Sequence, residues 1–227
     1  MHRKMPSPSG LLPIVATLLT LLSPAAVATA TVAMEVVTTL TPAACIPALS
    51  NGGEANYGLQ DSSMLRPGQI TPLPPRSLRL SIQCDVAALF ALRLTDNRSD
   101  SLVPGIVASG SGNAALDDDA NFGLGMASGV RIGGYAIIFD PTSYSGDYRA
   151  VQLLTSADGI TWQPGTSGHG SKRQLLSWGA PGASAISAYR AIEGWLTVHP
   201  FINKPEALRL HNDIELNGST TLELNYL

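Results

Sequence analysis

From residue 31 onward, apolar and polar positions alternate in short runs. Leu78, Leu80, Ile82 and Cys84 alternate with Arg79, Ser81 and Gln83, and Phe90, Leu92 and Leu94 alternate with Ala91, Arg93 and Thr95. Val151 and Leu153 follow the same rule, and Ile192, Leu196 and Val198 share one face around Gly194. Leu222, Leu224 and Tyr226 alternate with Glu223 and Asn225. A period of two predicts half-buried strands, because successive side chains of a strand point to opposite faces. The separators fit. Asn51-Gly52-Gly53, Asp158-Gly159 and Asn217-Gly218 are expected to supply left-handed turn positions, and Pro72-Leu73-Pro74-Pro75 a stiff connection. Residues 109–113 read as a small, polar, mobile loop. Helical periodicity is nearly absent, with one turn expected over Pro205 to Leu210. Many short strands joined by turns predict an all-β fold, an antiparallel sandwich. No linker divides the chain and no segment repeats.

The first thirty residues follow a different pattern. His2, Arg3 and Lys4 precede an apolar run from Leu11 to Leu22, Pro24 breaks it, and Ala28-Thr29-Ala30 offers small residues. Residues 1–30 therefore read as a cleaved secretory signal peptide. A membrane anchor is the rival, but the run is short for a bilayer and lacks cations on its far side. No later stretch is long and apolar enough to span, so no membrane span is expected in residues 31–227, which read as one domain.

Composition narrows the class. The 227 residues carry a formal net charge of −3, 14% charged residues, 22 Gly and 16 Pro. Nucleic acid is disfavoured as a partner, because its phosphates require a basic patch. The two cysteines, Cys45 and Cys84, are expected to form a disulfide in an oxidising compartment. Closing a loop of about 40 residues contributes roughly 4 kcal/mol on the chain-entropy view. A metal pair or a catalytic thiol is the alternative, and no His lies near either Cys in sequence.

Several motifs could carry chemistry. Asp117-Asp118-Asp119 could hold calcium, but consecutive carboxylates lack the alternating spacing of a calcium loop. Gly123, Gly125 and Gly129 fit a dinucleotide fingerprint only loosely; a Gly-rich hairpin leading into a strand over residues 132–139 is the simpler expectation. Ser156-Ala-Asp158-Gly159-Ile-Thr161-Trp162 is like the Asp-box of sialidase-type propellers, shorter by one residue and present once; an Asp-Gly hairpin with a flanking aromatic accounts for it. His169, His199 and His211 show no paired spacing, and no Gly-x-Ser-x-Gly elbow occurs. Trp162, Trp178 and Trp195 read as core or rim aromatics rather than a sugar platform. Asn97-Arg98-Ser99 and Asn217-Gly218-Ser219 match the glycosylation triplet. No cofactor is expected and no catalytic centre emerges.

The two ends are the more informative features. Val32, Met34 and Val36 alternate, giving a short strand with one apolar face, and the phase slips at Val36-Val37. Thr220 to Leu227 is a second terminal strand with Tyr226 penultimate. A strand left at a sheet edge recruits other strands.

An export signal, 38 residues between the two Cys, a sandwich pattern and a terminal strand with penultimate Tyr together resemble chaperone–usher pilus subunits. More closely, the chain resembles a bacterial fimbria-associated family of undefined function, often labelled beta-fimbriae subunit. The resembling stretches are Thr41-Pro-Ala-Ala-Cys45-Ile-Pro47, Leu94-Thr-Asp-Asn-Arg98, Phe122-Gly-Leu-Gly125, Ile132-Gly-Gly-Tyr135, Ile214-Glu-Leu-Asn-Gly218 and Thr221-Leu-Glu-Leu-Asn-Tyr-Leu227. The resemblance implies an immunoglobulin-like antiparallel sandwich that lacks its final strand and is completed by a donor strand. It implies three kinds of partner: a periplasmic pilus chaperone, an outer-membrane usher and neighbouring fimbrial subunits. On this reading residues 31–40 form a short donor-type segment with Val32, Met34 and Val36 as plugs. Leu222, Leu224, Tyr226 and Leu227 form the acceptor groove or face the chaperone. The expected route is export, transit through the periplasm and residence in a fimbrium at the cell surface.

One departure limits simple polymerisation. Fourteen residues, 31 to 44, precede Cys45, and they reach at most ~46 Å while serving as both extension and first strand. A tip, terminator or self-complemented subunit is therefore an open variant. The expectation is a non-enzymatic structural or accessory subunit that contributes to adhesion. The alternative is a secreted, self-contained β-sandwich that binds carbohydrate or another surface ligand.

Overall fold

The computed structural model describes residues 44–208 and 213–227. Val32, Met34, Val36, His211 and the signal-like segment 1–30 lie outside the described residues. Eight strands of five or more residues carry the fold: β1 (Cys45–Leu49), β2 (Arg76–Ala88), β3 (Phe90–Asp96), β4 (Gly133–Phe139), β5 (Gln152–Ser156), β6 (Leu175–Gly179), β7 (Tyr189–Ile202) and β8 (Thr220–Tyr226). All their pairings are antiparallel. The expected antiparallel sandwich is the fold observed.

The larger sheet runs β1-β2-β7-β4 and ends on the two-residue strand Phe122–Gly123. The smaller runs from Gln163–Pro164 through β5-β6-β3 to β8. An immunoglobulin-type sandwich places strands A, B, E and D in one sheet and C, F and G in the other. Here β1, β2, β7 and β4 take the places of A, B, E and D, and β3 and β8 those of C and F. The place of G, on the outer edge of β8, holds no strand among the described residues.

The alternating positions explain the layering. Leu78, Leu80 and Ile82 of β2, with Ile192 and Leu196 of β7, face inward and meet Phe90, Leu92 and Leu94 of β3. Trp178 of β6 lies at the centre, 6.0 Å edge-on from Phe90 and 5.4 Å from Tyr144. Gly194 interrupts the apolar face of β7 for a packing reason: any Cβ there would strike the Tyr144 ring. A smaller cluster of Ala91, Leu154, Trp162 and Leu175 closes the other face of the smaller sheet.

Cys45 and Cys84 form the expected disulfide and lie opposite each other in the β1–β2 register. The turn expectations hold at two of three places. Asn51, Gly52 and Gly53 all have positive φ, as does Gly159. Gly218 does not; it is required because Tyr135 packs on it, with ring Cε1 only 2.6 Å from where a Cβ would sit. The segment read as a mobile loop at 109–113 is largely helical. Helix α1 (Ile106–Ser111) is bounded by Gly105 and Gly112, both left-handed. Its residues have poor intrinsic propensity, but Ile106 and Val107 dock with Ala136 and Phe201 on the outer face of the larger sheet, and tertiary burial decides. The turn expected near Pro205 is a 3-10 helix over Pro205–Ala207. No helix among the described residues is long and apolar enough to cross a membrane.

Candidate functional site

Among the described residues, β5 and β6 extend the smaller sheet on one side, and β8 is its edge on the other. On that side the smaller sheet stops at β8, while the larger sheet continues beneath it to β1. The inward face of the larger sheet is therefore only partly roofed. A groove of about 1190 Å3 follows this gap. Leu78, Leu196, Ile137 and Ile132 form its apolar floor. Residues 54–62 form one bank, and residues 213–216 and 218–220 with Leu222 form the other. A sandwich interior ordinarily packs without such space, so this length of core lacks a covering element among the described residues.

The banks are held by polar contacts. Tyr57 lines the groove and donates its hydroxyl to the Val198 carbonyl at 3.1 Å, and burial pushes its phenol up to about 12 against the smaller opposing pull of Arg76. The Tyr135 hydroxyl pairs with Thr220 Oγ1 at 2.6 Å. Its phenol is also pushed up to about 12, chiefly by burial. Between the two sheet edges, the Cys45 N–H donates to the Tyr226 hydroxyl at 2.7 Å.

The terminal-strand residues are thereby placed. β8 pairs along its whole length with β3, with Leu222 opposite Leu94 and Leu224 opposite Leu92. Leu222 lines the groove, Leu224 is half-buried against the core, and Tyr226 bridges to β1. Leu227 is half-exposed and its N–H donates to the Leu89 carbonyl. Val32, Met34 and Val36 have no described position against this groove.

Next to Tyr135 the structure gathers residues whose connection the sequence did not reveal. Asp96, at the end of β3, accepts from the Gly123 N–H at 3.0 Å and the Arg98 N–H at 2.9 Å. Buried Ser101 donates to the Arg98 carbonyl and accepts from the Gly125 N–H at 2.9 Å. Arg98 Nε donates to the Asn217 carbonyl, and the Asn217 N–H to the Leu124 carbonyl. Gly123 presses so closely that a Cβ would meet the Arg98 carbonyl and Ser101 Oγ, and Gly134 lies as close to Asn121 Oδ1. The stretches 94–98, 122–125, 132–135 and 214–218, far apart in sequence, thus form one knot that ties β3, β4 and the approach to β8 together. Ser101 was not singled out from the sequence. The signal available was the recurrence of Gly, Asn and Asp in these short stretches, the residue types that allow close backbone approach and side-chain-to-backbone bonding.

The remaining candidates are structural in their surroundings. Asp118 accepts from the Gly105 N–H and Asn121 Nδ2, and Asp119 pairs with Arg173 at 3.1 Å. Asp117 and Asp119 border a polar cleft of about 480 Å3 with His169 and Arg173. Gly129 lies in the tight turn between Met126–Ala127 and Val130–Arg131, the expected hairpin. Asp158 accepts from the Thr161 and Ile160 N–H groups and from Ser156 Oγ, which hold its carboxyl well below the usual range. Trp162 and Trp178 are buried; Trp195 is exposed. Burial lowers the affinity of His169 and His199 for a proton, and they stand on different surroundings rather than as a pair. The Asn97 amide donates to Ser219 Oγ and Thr221 Oγ1.

Fold and groove together define an antiparallel two-sheet β-sandwich in which, among the described residues, one strand position over the core holds no strand. Residues 34–136 match the family model described as "Protein of unknown function (DUF1120)". The chain is similar to the uncharacterized protein YhcF of Escherichia coli strain K12, 30% identical over 138 residues that cover 56% of this chain and 58% of YhcF. The chain thus spans a little over half the length of that relative. It is also similar to the protein GltF of the same strain, 27% identical over 225 residues that cover 82% of this chain and 85% of GltF. No solved structure matches the chain.

Proposed function

We propose that this chain is a non-enzymatic structural or accessory subunit of a chaperone–usher fimbria, assembled by donor-strand complementation and contributing to adhesion. One observation carries the reading: the outer edge of β8 and the apolar floor beside it lack a covering strand among the described residues. An extended segment laid along β8 would satisfy its free backbone groups, and alternate apolar side chains would fill the groove above Leu78 and Leu196. The disulfide, which fixes β1 to β2 beside the groove, supports the same reading, as does the resemblance of the terminal strand to pilus subunits.

On this proposal a periplasmic chaperone first lends the strand, with Leu222, Leu224, Tyr226 and Leu227 as its docking edge. An outer-membrane usher then exchanges it for the extension of a neighbouring subunit. Val32, Met34 and Val36 act as plugs, either in the next subunit's groove or in the chain's own. The route runs from export through the periplasm to a fimbrium at the cell surface.

The test is periplasmic expression of the full chain with and without a matching pilus chaperone, followed by pull-down and mass spectrometry. The expected result is a one-to-one complex with the chaperone and a degraded or aggregated chain without it. Leu222→Asp should abolish the complex. A protease-resistant monomer that ignores the chaperone would overturn strand exchange between subunits.

A further inference from the structure

Trp195 stands on the outer face of the larger sheet, opposite Arg79 in the β2–β7 register, and 47% of its surface is exposed. Indole is the largest apolar side chain, and leaving half of it in water beside polar neighbours forfeits part of its burial energy. Its surroundings are built. The Arg79 guanidinium is tied to the Glu193 carboxylate, which lies two residues along β7 on the same face. Two residues the other way, Thr197 lies opposite Ser77, with their hydroxyls 3.2 Å apart, and Ser81 lies opposite Glu193. Small hydroxyls therefore flank the indole, and the exposed Arg79–Glu193 ion pair sits beside it. From Glu193 to Thr197 this row is about 13 Å long.

The geometry points to a short neutral saccharide as the ligand of this face, and we propose that Trp195 is its stacking platform. Three features select that class. The backbone is spoken for: the Trp195 N–H donates to Ser143 Oγ, its carbonyl accepts from the Asp140 N–H, and the Arg79 N–H donates to Ser50 Oγ. A peptide therefore cannot add here as a strand, and recognition falls to side chains. Glu193 already neutralises Arg79, and Asp140, whose N–H donates to the Trp195 carbonyl, adds a carboxylate on the other side, so a phosphate or an anionic lipid gains little. The neighbours Ser77, Ser81 and Thr197 are polar, and Ile138 opposite Thr197 is packed against the α1 cluster, so an apolar peptide or an acyl chain finds no continuous apolar surface. A pyranose offers the matching combination, a C–H face for the indole and a rim of hydroxyls for the Arg79–Glu193 pair and the serines. This site lies on the opposite face of the sheet from the groove and does not depend on what fills the groove.

The test is affinity electrophoresis of the full exported chain, with its chaperone if one copurifies. The native gels carry hydroxyethylcellulose, galactomannan, glycogen or dextran, with a heparin gel as the anionic arm. Tryptophan emission is read in parallel with the corresponding oligosaccharides. Trp162 and Trp178 are buried, so a change in emission reports Trp195. Retardation in at least one neutral gel is expected. Trp195→Ala should weaken it at least tenfold while the far-UV spectrum and melting temperature stay unchanged. Glu193→Gln should weaken neutral binding and introduce heparin retardation, because it frees Arg79. No retardation in any neutral gel, retardation unaffected by Trp195→Ala, or wild-type retardation by heparin alone would each overturn the proposal. Retardation by a chain that ignores the pilus chaperone would support this inference while refuting the fimbrial one.

Discussion

Gly123→Ala adds one methyl group to the chain, and the knot beside the groove predicts that this is costly. The new Cβ would meet the Arg98 carbonyl and Ser101 Oγ at once. The serine could rotate away, but the carbonyl is backbone, so the 122–125 segment must move. Forcing volume into a packed site costs about 1–3 kcal/mol. The shift also lengthens two buried bonds, Gly123 N–H to Asp96 Oδ2 at 3.0 Å and Gly125 N–H to Ser101 Oγ at 2.9 Å. The bond to the carboxylate is worth roughly 1.5–3 kcal/mol and the neutral one roughly 0.5–1.5 kcal/mol. Replacing Gly by Ala returns about 0.4–1 kcal/mol by restricting the unfolded chain. These effects overlap, and the net expected loss is about 3 kcal/mol. For a domain whose total stability is on the order of 5–15 kcal/mol, that is a large fraction. Urea unfolding of the full chain, followed by tryptophan fluorescence, measures it as a shift in midpoint at constant slope. The double variant Gly123→Ala/Ser101→Gly should not recover, because the carbonyl contact remains. A loss below about 0.5 kcal/mol, or full rescue by Ser101→Gly, would refute the account of the knot.

Two further outcomes follow from the same structure. Cys45→Ala/Cys84→Ala, or reduction of the wild-type protein, should cost about 4 kcal/mol by freeing a loop of about 40 residues. The middle residues of β1 are exposed, so side-chain burial adds little to its pairing with β2; denaturation with and without reductant measures the loss, and a change below about 1 kcal/mol would contradict the assignment. The phenols of Tyr57 and Tyr135 are raised in the folded protein from an ordinary 10.0 to about 12. Their contribution is thus complete below pH 10 and is lost as pH rises toward 12, because the unfolded chain releases those protons first. Tyr135 alone should remove roughly 2–3 kcal/mol across that window, and unfolding free energies that stay flat from pH 9 to 12 would contradict this.

The strands and the staple were legible in the residue pattern alone. Period-two patterning at Leu78-Leu80-Ile82, Phe90-Leu92-Leu94 and Leu222-Leu224-Tyr226 is a local property, since side chains on a strand alternate whatever the strand's partners are. The disulfide was equally legible, because two cysteines in a chain with an export-like leader have one simple pairing. What the strands enclose follows only from how the sheets pack. Among the described residues the groove follows from β8 being the edge of one sheet while the other runs on beneath it to β1, and strand order across a sheet leaves no local trace. Helix α1 was hidden because Ile106 and Val107 are helical through docking on Ala136 and Phe201, not through propensity. Gly218 looked like a turn residue and is instead a seat for the Tyr135 ring. Asp96 and Ser101 gained their roles from segments over twenty residues away that approach within hydrogen-bonding distance. A linear pattern records which face of a strand is apolar. Which faces meet, and where one is left uncovered, is settled only when the sheets pack.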